Sequence, residues 1–241
     1  MSRLILIRHA QASLLSDNYD QLSDLGHEQS QVLGNYLAES NFEFDAIYTG
    51  PLHRHWQTLT HVKDAFHTKG KAWQDPTELH ELKEHQAPET LRTLLPQLVE
   101  RYPQVRKWHE EAQVTPQLAR KTYLRIFHLF IEEWAKGKVA DIQPDHLEDW
   151  ATFRSEVSKG VQKILEGNGR GKTVVAFTSG GTISAVLGHA LKMPYEEQII
   201  ELNGKVKNTS ITEFLFTPEK FSLQNFNTVP HLREPRLVTF V

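Results

Sequence analysis

Leu4-Ile5-Leu6-Ile7-Arg8-His9-Ala10-Gln11 is the stretch on which the fold turns. Four consecutive apolar residues with no alternation read as a strand buried on both faces, and the polar step at Arg8-His9 reads as its exit into a loop. Working outward, Ser23 is a plausible helix N-cap, with Val32, Leu33, Tyr36 and Leu37 at amphipathic spacing behind it. Phe44-Asp45-Ala46-Ile47-Tyr48 reads as a second strand stopped by Gly50-Pro51, with a helix beginning near Leu52. Thr173 to Phe177 is a third strand, leading through Thr178-Ser179-Gly180-Gly181 into a helix that runs to Leu191. Ile211–Phe216 and Phe221–Phe226, separated by Thr217-Pro218-Glu219-Lys220, predict an antiparallel edge pair. Alternating strands and helices predict an α/β fold: a three-layer sandwich with a mostly parallel sheet and helices on both faces.

The middle of the chain, about residues 90–165, lacks strand signals. Tyr123, Ile126, Phe127, Phe130, Ile131 and Trp134 form a helical stripe closed by Gly137 as a C-cap, and Leu147, Trp150, Val157, Val161 and Ile164 form a looser one after Pro144-Asp145. Such stripes read as core rather than as a ligand site. The expected organisation is a single domain over residues 1–241 with a helical insertion or cap at about 90–165.

Composition bounds the function. The 241 residues carry 27 Lys+Arg against 30 Asp+Glu, a net charge of -3, which offers no general attraction to nucleic acid or to an anionic membrane surface. There is no Cys, so a disulfide scaffold, a thiol nucleophile, an iron–sulfur centre and a Cys zinc site are excluded. The apolar run at Leu4–Ile7 is far shorter than an export signal or a membrane span, and the expected location is the cytoplasm. Thirteen histidines remain to be explained.

Several motifs fail on spacing. Gly167-Asn168-Gly169-Arg170-Gly171-Lys172-Thr173 has Glu166 where a phosphate loop needs its first Gly, and it precedes a strand instead of following one. His80-Glu81-Leu82-Lys83-Glu84-His85 has one residue too many for a zinc-binding HExxH; on a helix its histidines would diverge by about 140°. No metal and no cofactor is implied. Ser179 has Gly181 two residues on but Phe177 two before, and no Asp follows it, so a serine hydrolase using Ser179 is a remote alternative.

What fits is a set of strand ends. Open α/β sheets bind ligands at the carboxyl ends of their strands. Arg8-His9 stands at one, suited to grip phosphate oxygens and to attack or shuttle a proton, although the dipeptide alone reads first as a surface arginine beside a satisfied histidine. Arg54 stands beyond the second strand near a helix N-terminus, and Ser179-Gly180-Gly181 beyond the third is an N–H-rich turn into a helix. Three anion-suited strand ends motivate a phosphate pocket.

These residues also carry a resemblance. Arg8-His9-Ala10-Gln11 resembles the Arg-His-Gly-Glu/Gln motif of the histidine phosphatase superfamily, the phosphoglycerate-mutase-like enzymes. Leu22-Ser23-Asp24-Leu25-Gly26-His27-Glu28-Gln29 is similar to its Leu-Thr-x-x-Gly-x-x-Gln, and Gly50-Pro51-Leu52-His53-Arg54-His55-Trp56-Gln57-Thr58 to its Ser-Pro-Leu-x-Arg-Ala-x-Gln-Thr. Leu79-His80-Glu81 fits Leu-x-Glu, and Asn208 to Thr212 with His231-Leu232 resemble the late strand and tail. The matches run in order from residue 3 to 232. The resemblance implies that His9 attacks phosphorus to form a phosphohistidine, with one ring N–H held by a backbone carbonyl. Arg8 and Arg54 would neutralise the phosphoryl oxygens without a metal, and Glu81 would protonate the leaving group, which requires a raised pKa. The competing reading of Glu81 is an exposed residue in an acidic turn. Gln11, Ser179 and Gly180 are the expected substrate contacts, and the implied partner is a small-molecule phosphomonoester or phosphate.

The match breaks at Ser179, which stands where the family carries a second histidine in Ser-His-Gly-Gly. Loss of one preorganised donor costs on the order of 10²–10³ in rate. The backbone N–H groups of Gly180 and Gly181 remain, and His53, His55 or His85 could lean in. Leu15 stands where the family has a phosphate-contacting Asn, and the mutase-type Glu-Arg-x-Tyr-Gly is replaced by Glu81-Leu82-Lys83-Glu84-His85, which favours phosphatase over mutase. A phosphomonoester hydrolase is the reading that results. A non-catalytic phosphoester-binding protein on the same fold is its alternative.

Overall fold

The computed structural model describes residues 1–13, 20–40 and 42–240, so the departure at Leu15 lies outside the described residues. Its centre is a six-stranded sheet of β1 (Ser2–Arg8), β2 (Ala46–Thr49), β3 (Thr77–Glu78), β4 (Thr173–Thr178), β5 (Ile211–Thr217) and β6 (Lys220–Thr228), in the order β3-β2-β4-β1-β5-β6. β3, β2, β4 and β1 are parallel; β5 and β6 are the antiparallel edge pair. The fold is α/β with a mixed sheet, as the sequence predicts. β3 is only two residues long and carried no readable signal. β2 begins two residues later than expected; just before it the Asp45 N–H donates to the Thr173 carbonyl while its carboxylate accepts from the Thr173 N–H and Lys172.

The unbroken apolar run of β1 has its explanation in two separate cores. Leu4 and Leu6 face one side of the sheet, with Val174, Ala176 and Phe214. Ile5 and Ile7 face the other, with Val175 and Phe177. The second core is closed by α1 (Asp24–Glu39) and α2 (His53–Thr68). Ser23 caps α1 by accepting the Gly26 N–H at 3.0 Å.

The first core is covered by α3 (Ala87–Arg101), α4 (Pro103–Val114), α5 (Ala119–Ala135), α6 (Trp150–Gly167), α7 (Gly180–Ala190) and α8 (Glu196–Asn203). The aromatic stripes are core: Phe130, Trp134, Trp150 and Phe153 are buried against one another. Gly137, at φ +70, takes the left-handed turn just past the end of α5. Two stripe members differ from expectation. Tyr123 is 49% exposed, in the first turns of α5, and Leu147 lies in the turn before α6, whose N-cap is Asp149. Among the described residues, no helix is long and apolar enough to cross a membrane.

Candidate active site

β1 and β4 are adjacent and parallel, so Arg8-His9 and Ser179 leave the sheet at the same end; the His9 N–H extends the ladder by donating to the Thr178 carbonyl at 2.8 Å. The His9 ring is held from both sides. Its Nδ1 lies 2.7 Å from the Ala10 carbonyl oxygen, which can only accept, so Nδ1 carries the proton. Its Nε2 lies 3.1 Å from Arg54 Nε, which can only donate, so Nε2 presents a lone pair. Burial, followed by the charge of Arg54 and then those of Arg8 and His55, holds the imidazole pKa well below its ordinary value. His9 is therefore neutral near pH 7, with the tautomer a nitrogen nucleophile needs.

Arg54 is 6% exposed, in the first turn of α2. The N-cap residue of that helix is Leu52, which has no side-chain acceptor. Asp20 supplies one from across the loop: its carboxylate accepts from the His53 N–H at 2.8 Å, from the Arg54 N–H at 3.4 Å and from Arg54 Nη1 at 2.8 Å. One residue on, His55 is fully buried with its Nε2 2.7 Å from Ser179 Oγ and its ring 5.6 Å from that of His9. Burial, and then Arg54, lower its pKa well below the ordinary value. Thr58 fixes the turn by accepting the Ala10 N–H and donating to the Arg54 carbonyl.

Ser179 is the N-cap residue of α7 and is also fully buried. Gly181 N–H, expected to be available to an anion, donates instead to Glu84 at 3.1 Å. The helix starts of α2 and α7 thus each hold one of the chain's own carboxylates, a feature with no local signal because Asp20 and Glu84 are distant in sequence from the helices they serve. Arg8 Nη1 donates to the Phe240 carbonyl at 2.7 Å and, at a short distance, to that of Val206. The Arg8 guanidinium lies along Gly180, where a Cβ would come within 3.4 Å of Arg8 Nε.

Two expected residues point elsewhere. Glu81 pairs closely with Lys163 of α6, packs against Gly160, and has its pKa lowered by that ion pair, opposite to the expected rise. Gln11 Oε1 accepts from the Ser23 hydroxyl at 2.9 Å, at the start of α1. Of the three histidines that could approach, His53 is exposed and His85 is packed among Trp134, Trp150 and Phe153. Only His55 adjoins His9. Its signal in the sequence was a histidine where the resembled pattern has Ala, five residues after a glycine where it has Ser.

Comparison with known proteins bears on the family and the fold. The family model for the histidine phosphatase superfamily (branch 1) matches residues 4–124 and 89–229. YhfR from Bacillus stearothermophilus superposes with a TM-score of 0.65 at 18% identity, covering 97% of this chain and 100% of that one. A phosphoserine phosphatase mutant from Entamoeba histolytica in complex with phosphoserine superposes with a TM-score of 0.61 at 19% identity, covering 96% and 100%. Phosphoglycerate mutase from Bacillus anthracis gives 0.63 at 17% identity, covering 96% and 95%. At these identities the likeness is one of fold.

Proposed function

The chain belongs to the histidine phosphatase superfamily, and from that premise we propose that it hydrolyses small phosphomonoesters through a phosphohistidine on His9. The observation that carries this reading is the state of the His9 ring: neutral, with its proton on Nδ1 held by the Ala10 carbonyl and its Nε2 lone pair beside Arg54. A ring held only for packing needs neither the fixed tautomer nor an arginine on its lone pair.

In the proposed reaction Nε2 attacks phosphorus as the bond to the leaving oxygen breaks, and the leaving group takes up a proton. Water then attacks phosphorus, the P–N bond breaks, and phosphate is released. Arg54 and Arg8 would meet the charge on the phosphoryl oxygens. Ser179 and Gly180 are the proposed further contacts, with Gln11 joining them only if its side chain leaves the Ser23 hydroxyl. Glu81 is the proposed proton donor, which requires its ion pair with Lys163 to open. That phosphoserine is the ligand of the Entamoeba relative supports a small phosphorylated metabolite as substrate class. Absence of the mutase-type stretch after Glu81 supports hydrolysis over phosphoryl shuttling.

The test is release of phosphate from a panel of phosphomonoesters by the protein and by His9→Ala, with quench in alkaline denaturant to trap the acid-labile, base-stable phosphohistidine. Turnover and trapped label should both vanish in His9→Ala. Equal rates for the two proteins would end the reading, and phosphate binding without turnover would favour the non-catalytic alternative.

A further inference from the structure

Ser179 and His55 form a buried side-chain pair, of which the reaction above uses Ser179 only as a contact and gives His55 no part. Both are fully buried, 2.7 Å apart between Oγ and Nε2, and the His55 ring stands 5.6 Å from the nucleophile's ring with an interplanar angle of 37°. The site has been cleared for this imidazole. A Cβ on Gly50 would fall 2.4 Å from His55 Nδ1 and 2.8 Å from Cε1, distances no side chain tolerates. A serine hydroxyl has one proton to give. If His55 Nε2 accepts it, none is left for a ligand; if Nε2 carries a proton, it donates to Oγ and frees the hydroxyl proton to point into the strand-end pocket.

We infer that His55 is a positioning residue for phosphoryl binding: in the phosphate complex its Nε2–H donates to Ser179 Oγ, and Ser179 O–H donates to a phosphoryl oxygen beside His9. The two side chains then act as one unit, with the imidazole supplied from α2 and the contacting atom from the start of α7. A phosphoryl group on His9 lies within reach of this unit because both flank the same ends of β1 and β4. This inference rests on the phosphohistidine reading and deepens it.

The experiment is a double-mutant cycle on the full chain, read in two ways: kcat/KM with p-nitrophenyl phosphate, and Kd for inorganic phosphate by calorimetry. His55→Phe keeps an aromatic ring but removes its N–H, and Ser179→Ala removes the hydroxyl. Each should lower kcat/KM by on the order of 10²-fold, the cost of one preorganised donor, and each should weaken phosphate binding. The double variant should be no worse than either single one, because residues acting as a unit lose their effect together. The exchanged pair, His55→Ala with Ser179→His, should recover at least about tenfold over His55→Phe, a gain that packing alone does not provide.

Losses that multiply in the double variant, or wild-type kcat/KM and phosphate affinity in His55→Phe, would overturn the inference while leaving the His9 reaction standing. Full activity in His9→Ala combined with none in Ser179→Ala would overturn both and identify Ser179 as a nucleophile with His55 as its base. Thermal unfolding of each variant separates misfolding from loss of function. Should His55→Phe fail to fold, the exchanged pair is read against Ser179→Ala, over which it should gain about tenfold, and wild-type kcat/KM and phosphate affinity in Ser179→Ala would overturn the inference.

Discussion

A Cβ on Gly50 would also fall 2.5 Å from the Leu82 carbonyl oxygen, so the position is closed by backbone on one side and imidazole on the other. Gly50→Ala should therefore displace His55, with an overpacking cost of about 1–3 kcal/mol. Its kcat/KM should fall to the level of His55→Phe; a folded Gly50→Ala protein with normal kcat/KM would show that the location of His55 is immaterial. Glu81 gives a second prediction at this scale. A good leaving group such as p-nitrophenolate needs no proton, whereas an alkoxide does, and general acid catalysis contributes about 10²–10⁴-fold. Glu81→Gln should spare p-nitrophenyl phosphate and slow an alkyl phosphate by about that factor. Equal effects on both substrates would remove Glu81 from the acid role. The proposed nucleophile adds a third expectation: since burial and the neighbouring arginines hold the His9 pKa well below 6.5, kcat/KM should not fall on acidification through pH 6.5.

Helix α2 shows how an element depends on a partner remote in sequence. Pro51 and Leu52 bring the chain out of β2, but neither has a side-chain acceptor for the first N–H groups of α2, and the Asp20 carboxylate accepts from those of His53 and Arg54 instead. Loss of a helix cap costs about 1 kcal/mol, so Asp20→Ala should lower the unfolding free energy by that order, measured in urea. The same change frees the α2 N-terminus and Arg54 of a competing carboxylate, so inorganic phosphate should bind more tightly. Unchanged or weaker phosphate binding would mean that Asp20 helps to hold Arg54 in place rather than competing for it. On the other side of the sheet, the Thr178 hydroxyl donates to the Leu82 carbonyl and Thr182 to that of Lys83, tying the segment after β3 to the start of α7. That tie is what brings Glu84 to Gly181, while the three-residue helical turn at His80–Leu82 sends Glu81 toward α6.

Over the whole molecule, folding buries histidines as neutral rings. His9, His55 and His231 all have folded pKa values below the ordinary 6.5, and burial is the leading cause in each; His231 is lowered to about 4. An unfolded chain takes up protons at these sites near pH 6.5, whereas the folded one does so only further down. The unfolded state therefore binds more protons in that window, and stability falls as pH falls from 6.5 through the folded values. His231 alone contributes on the order of 3 kcal/mol to this loss by about pH 4. Urea midpoints should decline between pH 7 and 4.5, and less so in His231→Gln, whose amide can keep the partner at Thr209. A decline of equal slope in His231→Gln would place the acid sensitivity elsewhere.

The one-dimensional pattern determined the α/β alternation, because apolar runs such as Leu4–Ile7 and Thr173–Phe177 bury two faces whatever their neighbours. It also determined that His9 stands at the ligand-binding end of the sheet, because a residue following a parallel strand leaves the sheet at that end. It marked Ser179 as a departure and held His55 as one of three histidines that could lean in, without showing that the two meet, since their 124-residue separation closes only when α2 and α7 start beside the same strand ends. Tertiary structure alone decided which carboxylates reach the helix starts, that Glu81 faces Lys163, and which histidine adjoins His9. Those are contacts between residues far apart in the chain, set by sheet order and side-chain packing, and no local spacing encodes them.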